Sequence, residues 1–335
     1  MAQENISLVI TSIAAPNDVL KSYAALCKQH QVNYIVIGDT KSPANFFIEG
    51  CQFLSIEQQK QVNESFASLL PVKHYARKNI GYLLAMQQGA TVIIETDDDN
   101  FATEHFFNFF PKQTTQPFYE ANGEWVNVYR YFTDKKIWPR GLPLDRILDT
   151  AAGLLQAMPQ SITAPIQQGL ANDNPDVDAV YRLVSDVRIT FDANKQIVLG
   201  KHTWCPFNSQ NTVWYAEAFP LLYLPSYCSF RMTDIWRSFI AQRIAWENNW
   251  QLLFYSPTVW QERNVHNLMR DFEDEIPGYL HNENIRQTLE SLSLKSGVVN
   301  IGDNLKKCYD VLIQRQYIGE AEMPLLEAWL KALQG

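Results

Sequence analysis

The sequence predicts an α/β fold with a mainly parallel central sheet and a helical C-terminal appendage. Three observations carry that expectation. Uncharged runs rich in β-branched residues recur at 6–13 (ISLVITSI) and 33–37 (NYIVI), and 90–95 (ATVIIE) ends in a single carboxylate. Between them lie segments with apolar residues at helical spacing. Beyond about residue 260, charge rises and strand signals fade. Strands that alternate with helices pair in parallel, because each crossover returns the chain to the same end of the sheet.

Each element has its own warrant. Residues 6–13 read as a buried strand. Pro16-Asn17 marks a turn and helix start, and residues 18–30 follow with Val19, Leu20, Tyr23 and Leu26 at helical spacing. Residues 33–37 form a second strand, closed by Gly38-Asp39. Residues 78–88 read as a helix through Ile80, Leu83, Leu84 and Gln87, and 90–95 as a third strand. The segment 111–200 holds seven prolines and reads as irregular, with one strand expected at Asn127–Tyr131. Residues 231–247 read as a helix with Ile235, Trp236, Phe239, Ile240 and Ile244 on one face, and 282–335 as helical. The expected division is a domain of residues 1–260 and an appendage of 261–335.

Composition narrows the function. Apolar residues are 46% of the 335, enough for a large core, and aromatics reach 13% with nine Trp. A net charge of −8 argues against a general nucleic-acid binder, which needs a basic face to neutralise phosphates. Five Cys (27, 51, 205, 228 and 308) stand at no metal or redox spacing and suit a reducing compartment. No signal peptide is visible. No apolar run approaches the roughly 20 residues of a membrane span. The expectation is a soluble, cytoplasmic protein.

In a doubly wound sheet, ligands sit beyond the carboxyl ends of the strands. The loops after Ile13, Ile37 and Glu95 are therefore the ones to watch. The third carries Glu95-Thr96-Asp97-Asp98-Asp99-Asn100. Adjacent carboxylates repel one another unless a cation neutralises them. Carboxylates two residues apart can address one hard metal that also bridges phosphate oxygens; the competing reading is a solvated acidic turn. An EF-hand is disfavoured, because Phe101 and Ala102 occupy positions that need a ligand and a glycine.

The run Ala76-Arg77-Lys78-Asn79 opens a helix with two cations, against the dipole preference. That suits an anion site, where N–H groups and cations converge on phosphate; a surface basic pair is the alternative. Asp176 and Asp178 lie in a turn-forming run, Asn172–Asp178. Asp234 opens the 231–247 helix, as an N-terminal cap or as a general base. The histidines form no metal-spaced pair, and His266 alone stands as a candidate third metal ligand. There is no dinucleotide-binding glycine fingerprint, P-loop or nucleophile elbow.

Several blocks carry a family resemblance: ARKNIGYLLAMQQGA (76–90), IWPRGLPL (137–144), Gln167-Gln168-Gly169 leading to Pro175-Asp176-Val177-Asp178, PFNSQNT (206–212), and Tyr255-Ser256-Pro257-Thr258-Val259. In order, from about residue 7 to 260, the chain resembles the glycosyltransferase domain of the plant Golgi STELLO proteins. A looser similarity links the acidic run, the Pro-Asp-Val-Asp block and the Asp234 helix to reversibly glycosylated polypeptides, the plant UDP-arabinopyranose mutases. The resemblance implies a GT-A fold, with the acidic run as metal motif and Arg77 and Asn79 as nucleotide contacts. This chain departs from the plant proteins in its lack of a membrane anchor, in the extra Asp of the acidic run and in the segment after Val259.

The expected mechanism follows. Thr11, Ser12 and Asp39 hold the nucleoside, while Arg77 and Lys78 approach the diphosphate. Asn79 and Asp98 add donor contacts. Asp97 and Asp99 hold Mn²⁺ or Mg²⁺, with His266 as third ligand. Asp234 deprotonates an acceptor hydroxyl, giving inversion, and Asp176 and Asp178 line the acceptor side. Trp138 and Trp236 are sugar platforms or core. The expected donor is a nucleotide-diphosphate sugar, UDP favoured, and the acceptor a glycan or glycoconjugate. A nucleotide-sugar mutase and a non-catalytic module in protein assembly are the rival readings.

Overall fold

A computed structural model describes residues 4–121, 123–149, 153–185, 187–262 and 267–334. The first four sheet strands are β1 (Ile6–Thr11), β2 (Asn33–Ile37), β3 (Gln52–Leu54) and β4 (Val92–Thr96). They stand in the order β3-β2-β1-β4, every pair parallel. Asn211–Tyr215 then runs antiparallel between β4 and Ile166–Asn172, and Leu252–Gln261 pairs in parallel with Ile166–Asn172. Gln196–Leu199, Gln113–Tyr119 and Met158–Thr163 extend the far edge, and Asn100–Ala102 joins Leu252–Gln261, to complete an 11-stranded sheet.

Period-two alternation in β1 explains the layers. Leu8 and Ile10 belong to the apolar cluster under the Asp18–His30 helix, while Val9 belongs to the larger cluster on the opposite face. There the Lys78–Gln87 helix lies close on the sheet at Gly81, where an added Cβ would stand 2.5 Å from Val9 Cγ1. The expected helix over 18–30 and strand over 33–37 coincide with Asp18–His30 and Asn33–Ile37.

Two expectations about the middle change. Asn127–Tyr131 is not a strand: Tyr129–Phe132 is a helical turn. Three residues apart on that turn, Tyr129 and Phe132 both meet Phe191, at 5.1 and 6.5 Å between centroids. The proline-rich 111–200 segment also supplies four strands of the large sheet. In Ile166–Asn172 the apolar pattern is weak because buried amides replace hydrophobic residues; Gln167, fully buried, donates to the Phe110 and Ala164 carbonyls.

The C-terminal residues are helical, as Leu268–Glu290, Ile301–Gln314 and Glu322–Ala332. Their Ile285, Leu305, Tyr309 and Trp329 share one hydrophobic cluster with Phe66, Tyr223 and Phe239. These helices therefore extend the main core rather than build a second one. No helix among the described residues is long and apolar enough to cross a membrane. All five cysteines are free.

Candidate active site

The ends of β1, β2 and β4 open into one cavity of about 690 Å³. Thr11, Ser12 and Asp39 line it beside Asp97, Asp98 and Asp99. The acidic turn is fixed from below: Thr96 Oγ1 donates to the Gln210 carbonyl at 2.7 Å, and Asn100 Nδ2 reaches the same oxygen at 3.3 Å. Ser12 Oγ donates to Asp98, and Gln261 Nε2 to Asp99 Oδ1 at 3.1 Å. Asp97 is paired with Lys78 Nζ at 3.1 Å. Enclosure outweighs that cation, and with Asp99 adding repulsion it pushes the Asp97 carboxyl up to about 7.

A turn of three carboxylates with one lysine against it is a hard-oxygen donor set with negative charge to spare, the kind Mg²⁺ and Mn²⁺ take. Among the described residues, however, no three His, Cys, Asp or Glu side chains converge on one point. The acidic turn therefore has the chemistry for a hard divalent cation but does not by itself form a complete ligand set among the described residues. His266 lies outside the described residues.

The basic run behaves differently from its expected role. Lys78, fully buried, also donates to the Thr96 carbonyl at 2.9 Å, so it stabilises the acidic turn from behind. Arg77 lines the cavity but is 2% exposed; its Nε donates to Gln59 Oε1 at 2.7 Å and its Nη1 to the Leu70 carbonyl at 2.9 Å. The guanidinium thus braces the loop that carries Lys73 and His74. Asn79 is fully buried and turned away from the cavity, with both amide groups on the Leu224 backbone.

Across the cavity, Arg140 joins two carboxylates. Its Nε and Nη2 donate to Asp176 at 2.8 and 2.7 Å, and its Nη1 and Nη2 to Asp234 at 3.0 Å each. Nη1 also meets the Arg231 carbonyl. Burial alone would raise the Asp234 carboxyl, but the Arg140 charge and hydrogen bonds outweigh it and hold the group well below the usual carboxylate range. Ser209 N adds a bond at 3.2 Å, and so does Tyr75 Oη. Asp234 makes no cap to its own helix, so the capping alternative falls. Gly141 permits the turn that aims Arg140: its φ is +93°, and a Cβ there would stand 2.5 Å from Ile235 Cγ2.

A fully buried ion pair ties the helix that carries Asp234 to β4. Arg237, one turn beyond Asp234, meets Glu95 of β4 at 2.8 Å, and Trp214 Nε1 donates to the same carboxylate at 2.9 Å. Asp178 stays out of the cavity. It caps the Ala179–Val184 helix by accepting from Tyr181 N at 2.7 Å, and burial pushes its carboxyl up to about 6.

Trp138 and Trp236 are core. They are 8% and 1% exposed, with ring N–H groups on Asp178 and Asn282. Sequence reasoning assigned no role to Arg140, Tyr75 or His74. The signal for Arg140 was present, as a lone charge in the apolar IWPRGLPL run, which requires a buried partner.

The parallel β3-β2-β1-β4 unit, the antiparallel strand beside β4 and the acidic turn facing the cavity define a GT-A, nucleotide-diphospho-sugar transferase fold. Residues 231–335 match the model of the STELLO glycosyltransferases. Probable glycosyltransferase STELLO2 of Arabidopsis thaliana is 28% identical over 344 residues, covering 97% of this chain and 44% of that one. Probable glycosyltransferase STELLO1 of the same plant is 30% identical over 269 residues, covering 75% and 34%. The chain is similar to the STELLO glycosyltransferases, and it spans less than half the length of these relatives. Glucosyl-3-phosphoglycerate synthase from Mycobacterium tuberculosis, solved with Mn²⁺ and UDP-glucose, superposes only loosely. Its TM-score is 0.44, with 11% identity over 84% of this chain and 80% of that one.

Proposed function

We propose that this chain transfers a sugar from a nucleotide-diphosphate sugar, UDP favoured, to a hydroxyl of a glycan or glycoconjugate, with inversion. The observation that carries the reading is the position of the Asp97–Asp99 turn in the same cavity as the Asp176–Arg140–Asp234 cluster. Thr11, Ser12 and Asp39 form the nucleoside end. Asp97 and Asp99 would hold Mn²⁺ or Mg²⁺, which as a Lewis acid stabilises a leaving diphosphate. Lys78 keeps the acidic turn in place, and Arg77 braces the loop above the donor.

Asp234 is the carboxylate for the acceptor proton. Arg140 keeps it ionised and oriented, and the same contact makes it a weak base. The proton therefore moves only as the new glycosidic bond forms and acidifies the hydroxyl. Asp176, tied to the same guanidinium, lines the acceptor side, and Asp178 supports it by capping the next helix. Five free thiols support a reducing, cytoplasmic setting.

Isothermal titration with UDP and GDP, each with EDTA or Mn²⁺, tests the reading. UDP should bind only with the metal, and equal affinity in EDTA would overturn the metal's role. A ring-size change in the sugar nucleotide without UDP release would point instead to a mutase.

A further inference from the structure

With Trp138 and Trp236 enclosed in the core, the aromatic surface of the cavity lies elsewhere. His74, Tyr75 and Phe230 all line it. His74 and Tyr75 stack at 5.5 Å and 12°, and Phe230 meets both edge-on, at 5.2 and 5.0 Å. Phe230 nevertheless remains 45% exposed. A single exposed apolar side chain is ordinary on a protein surface. This one is not on a loose loop.

Polar anchors hold the chain on both sides of it. Ser229 Oγ donates to the Asp274 carbonyl, and Arg231 pairs with the buried Glu275 at 2.9 Å. Met232 is 1% exposed. Tyr75 Oη meets the Phe230 carbonyl at 3.4 Å and Asp234 Oδ1 at 3.2 Å. One hydroxyl thus ties the aromatic cluster to the carboxylate proposed to take the acceptor's proton. Phe230 is thus held at both neighbours, shares the cavity with Asp234 and stays partly exposed.

From this geometry we infer that Phe230, backed by His74 and Tyr75, is the stacking platform for an acceptor sugar and sets its orientation toward Asp234. A pyranose has an apolar C–H face and a polar rim. The face suits the ring, and the rim hydroxyls suit the Asp234 and Asp176 carboxylates that line the same cavity. The acceptor class is therefore a sugar with one unhindered C–H face, rather than an extended peptide or an anionic metabolite. The inference rests on the glycosyl-transfer reading for the identity of the reaction, while the platform itself is testable without turnover.

The test is saturation-transfer NMR on the full chain with Mg²⁺ and UDP. The probes are methyl β-D-glucopyranoside, methyl α-D-mannopyranoside and methyl β-D-galactopyranoside, each at millimolar concentration. At least one should receive magnetisation at its ring C–H protons. Phe230→Ala and Phe230→Leu should weaken that sugar's affinity by about five-fold or more, the scale of one lost aromatic contact. Phe230→Tyr should restore it, and UDP affinity should stay unchanged in all three. Leucine keeps apolar bulk without an aromatic face, so it decides the matter alone if the alanine variant does not fold. Transfer to no glycoside, or equal transfer in wild type and Phe230→Leu, overturns the platform. A Phe230-dependent sugar signal in a protein that fails to bind UDP would uphold the platform and sink the donor reading.

Discussion

Clamp and base predict different consequences for Asp234→Asn. In the clamp, Asp234 accepts two bonds from Arg140 at 3.0 Å, and both residues are nearly excluded from water, with side chains 5% and 6% exposed. Removing one partner of a buried ion pair costs about 3–5 kcal/mol. Arg140 keeps Asp176 through Nε and Nη2, which puts the loss near the lower end, about 3 kcal/mol. Unfolding entropy of ~2.1 cal/mol/K per residue gives about 0.7 kcal/mol/K for 335 residues, so Tm should fall by about 4 °C.

The base role adds a kinetic effect that the clamp does not. Asparagine cannot take a proton, so turnover should fall by roughly two to four powers of ten, the usual worth of a general base. The assay is transfer at 25 °C, with UDP release from a UDP-sugar where no acceptor is in hand. Hydrolysis is the weaker test, since a water molecule need not take the acceptor hydroxyl's place beside Asp234. Donor affinity should be nearly unchanged, because the proposal puts Asp234 on the acceptor side. A lowered Tm with wild-type turnover would leave Asp234 only its clamp role and make Asp176 the next candidate base. A wild-type Tm would refute the energetic reasoning about the clamp itself.

Three further outcomes follow from the site. Asp97→Asn should abolish the Mn²⁺ dependence of UDP binding in titration calorimetry, and a retained difference between Mn²⁺ and EDTA would remove Asp97 from the metal site. Arg77→Ala should weaken UDP binding and also lower stability, because the Leu70 carbonyl and Gln59 lose a buried partner at about 1–3 kcal/mol per group; weaker binding at an unchanged Tm would instead mean direct contact with the nucleotide. Burial holds the His74 imidazole down at about 4, against the opposing pull of Asp39, so the folded state stays neutral while the unfolded chain protonates below about pH 6.5. Unfolding then takes up a proton between about pH 6.5 and 4, and stability falls as pH drops through that window. Replacing His74 with Asn should flatten that part of the Tm–pH curve, and identical curves would show that His74 does not titrate as described.

How much of this was legible in the chain differs from element to element. The Asp18–His30 helix and the Asn33–Ile37 strand were readable to the residue, because local periodicity and an Asn17 cap fix them without help from elsewhere. The Asp97–Asp99 turn was readable as a candidate for a similar reason: three adjacent carboxylates are a local electrostatic anomaly. The strand at Ile166–Asn172 was not, since buried glutamines satisfied by distant carbonyls leave no apolar alternation.

The site's inner logic belongs to the tertiary structure alone. Residues 77 and 79 look alike as polar residues at a helix start, yet one braces a loop and the other pins Leu224. Arg140, Asp176 and Asp234 come from three separate segments, and only their shared burial makes the guanidinium choose both carboxylates. A sequence records which charges exist; which of them lose water together, and must therefore pair, is decided when the chain closes around them.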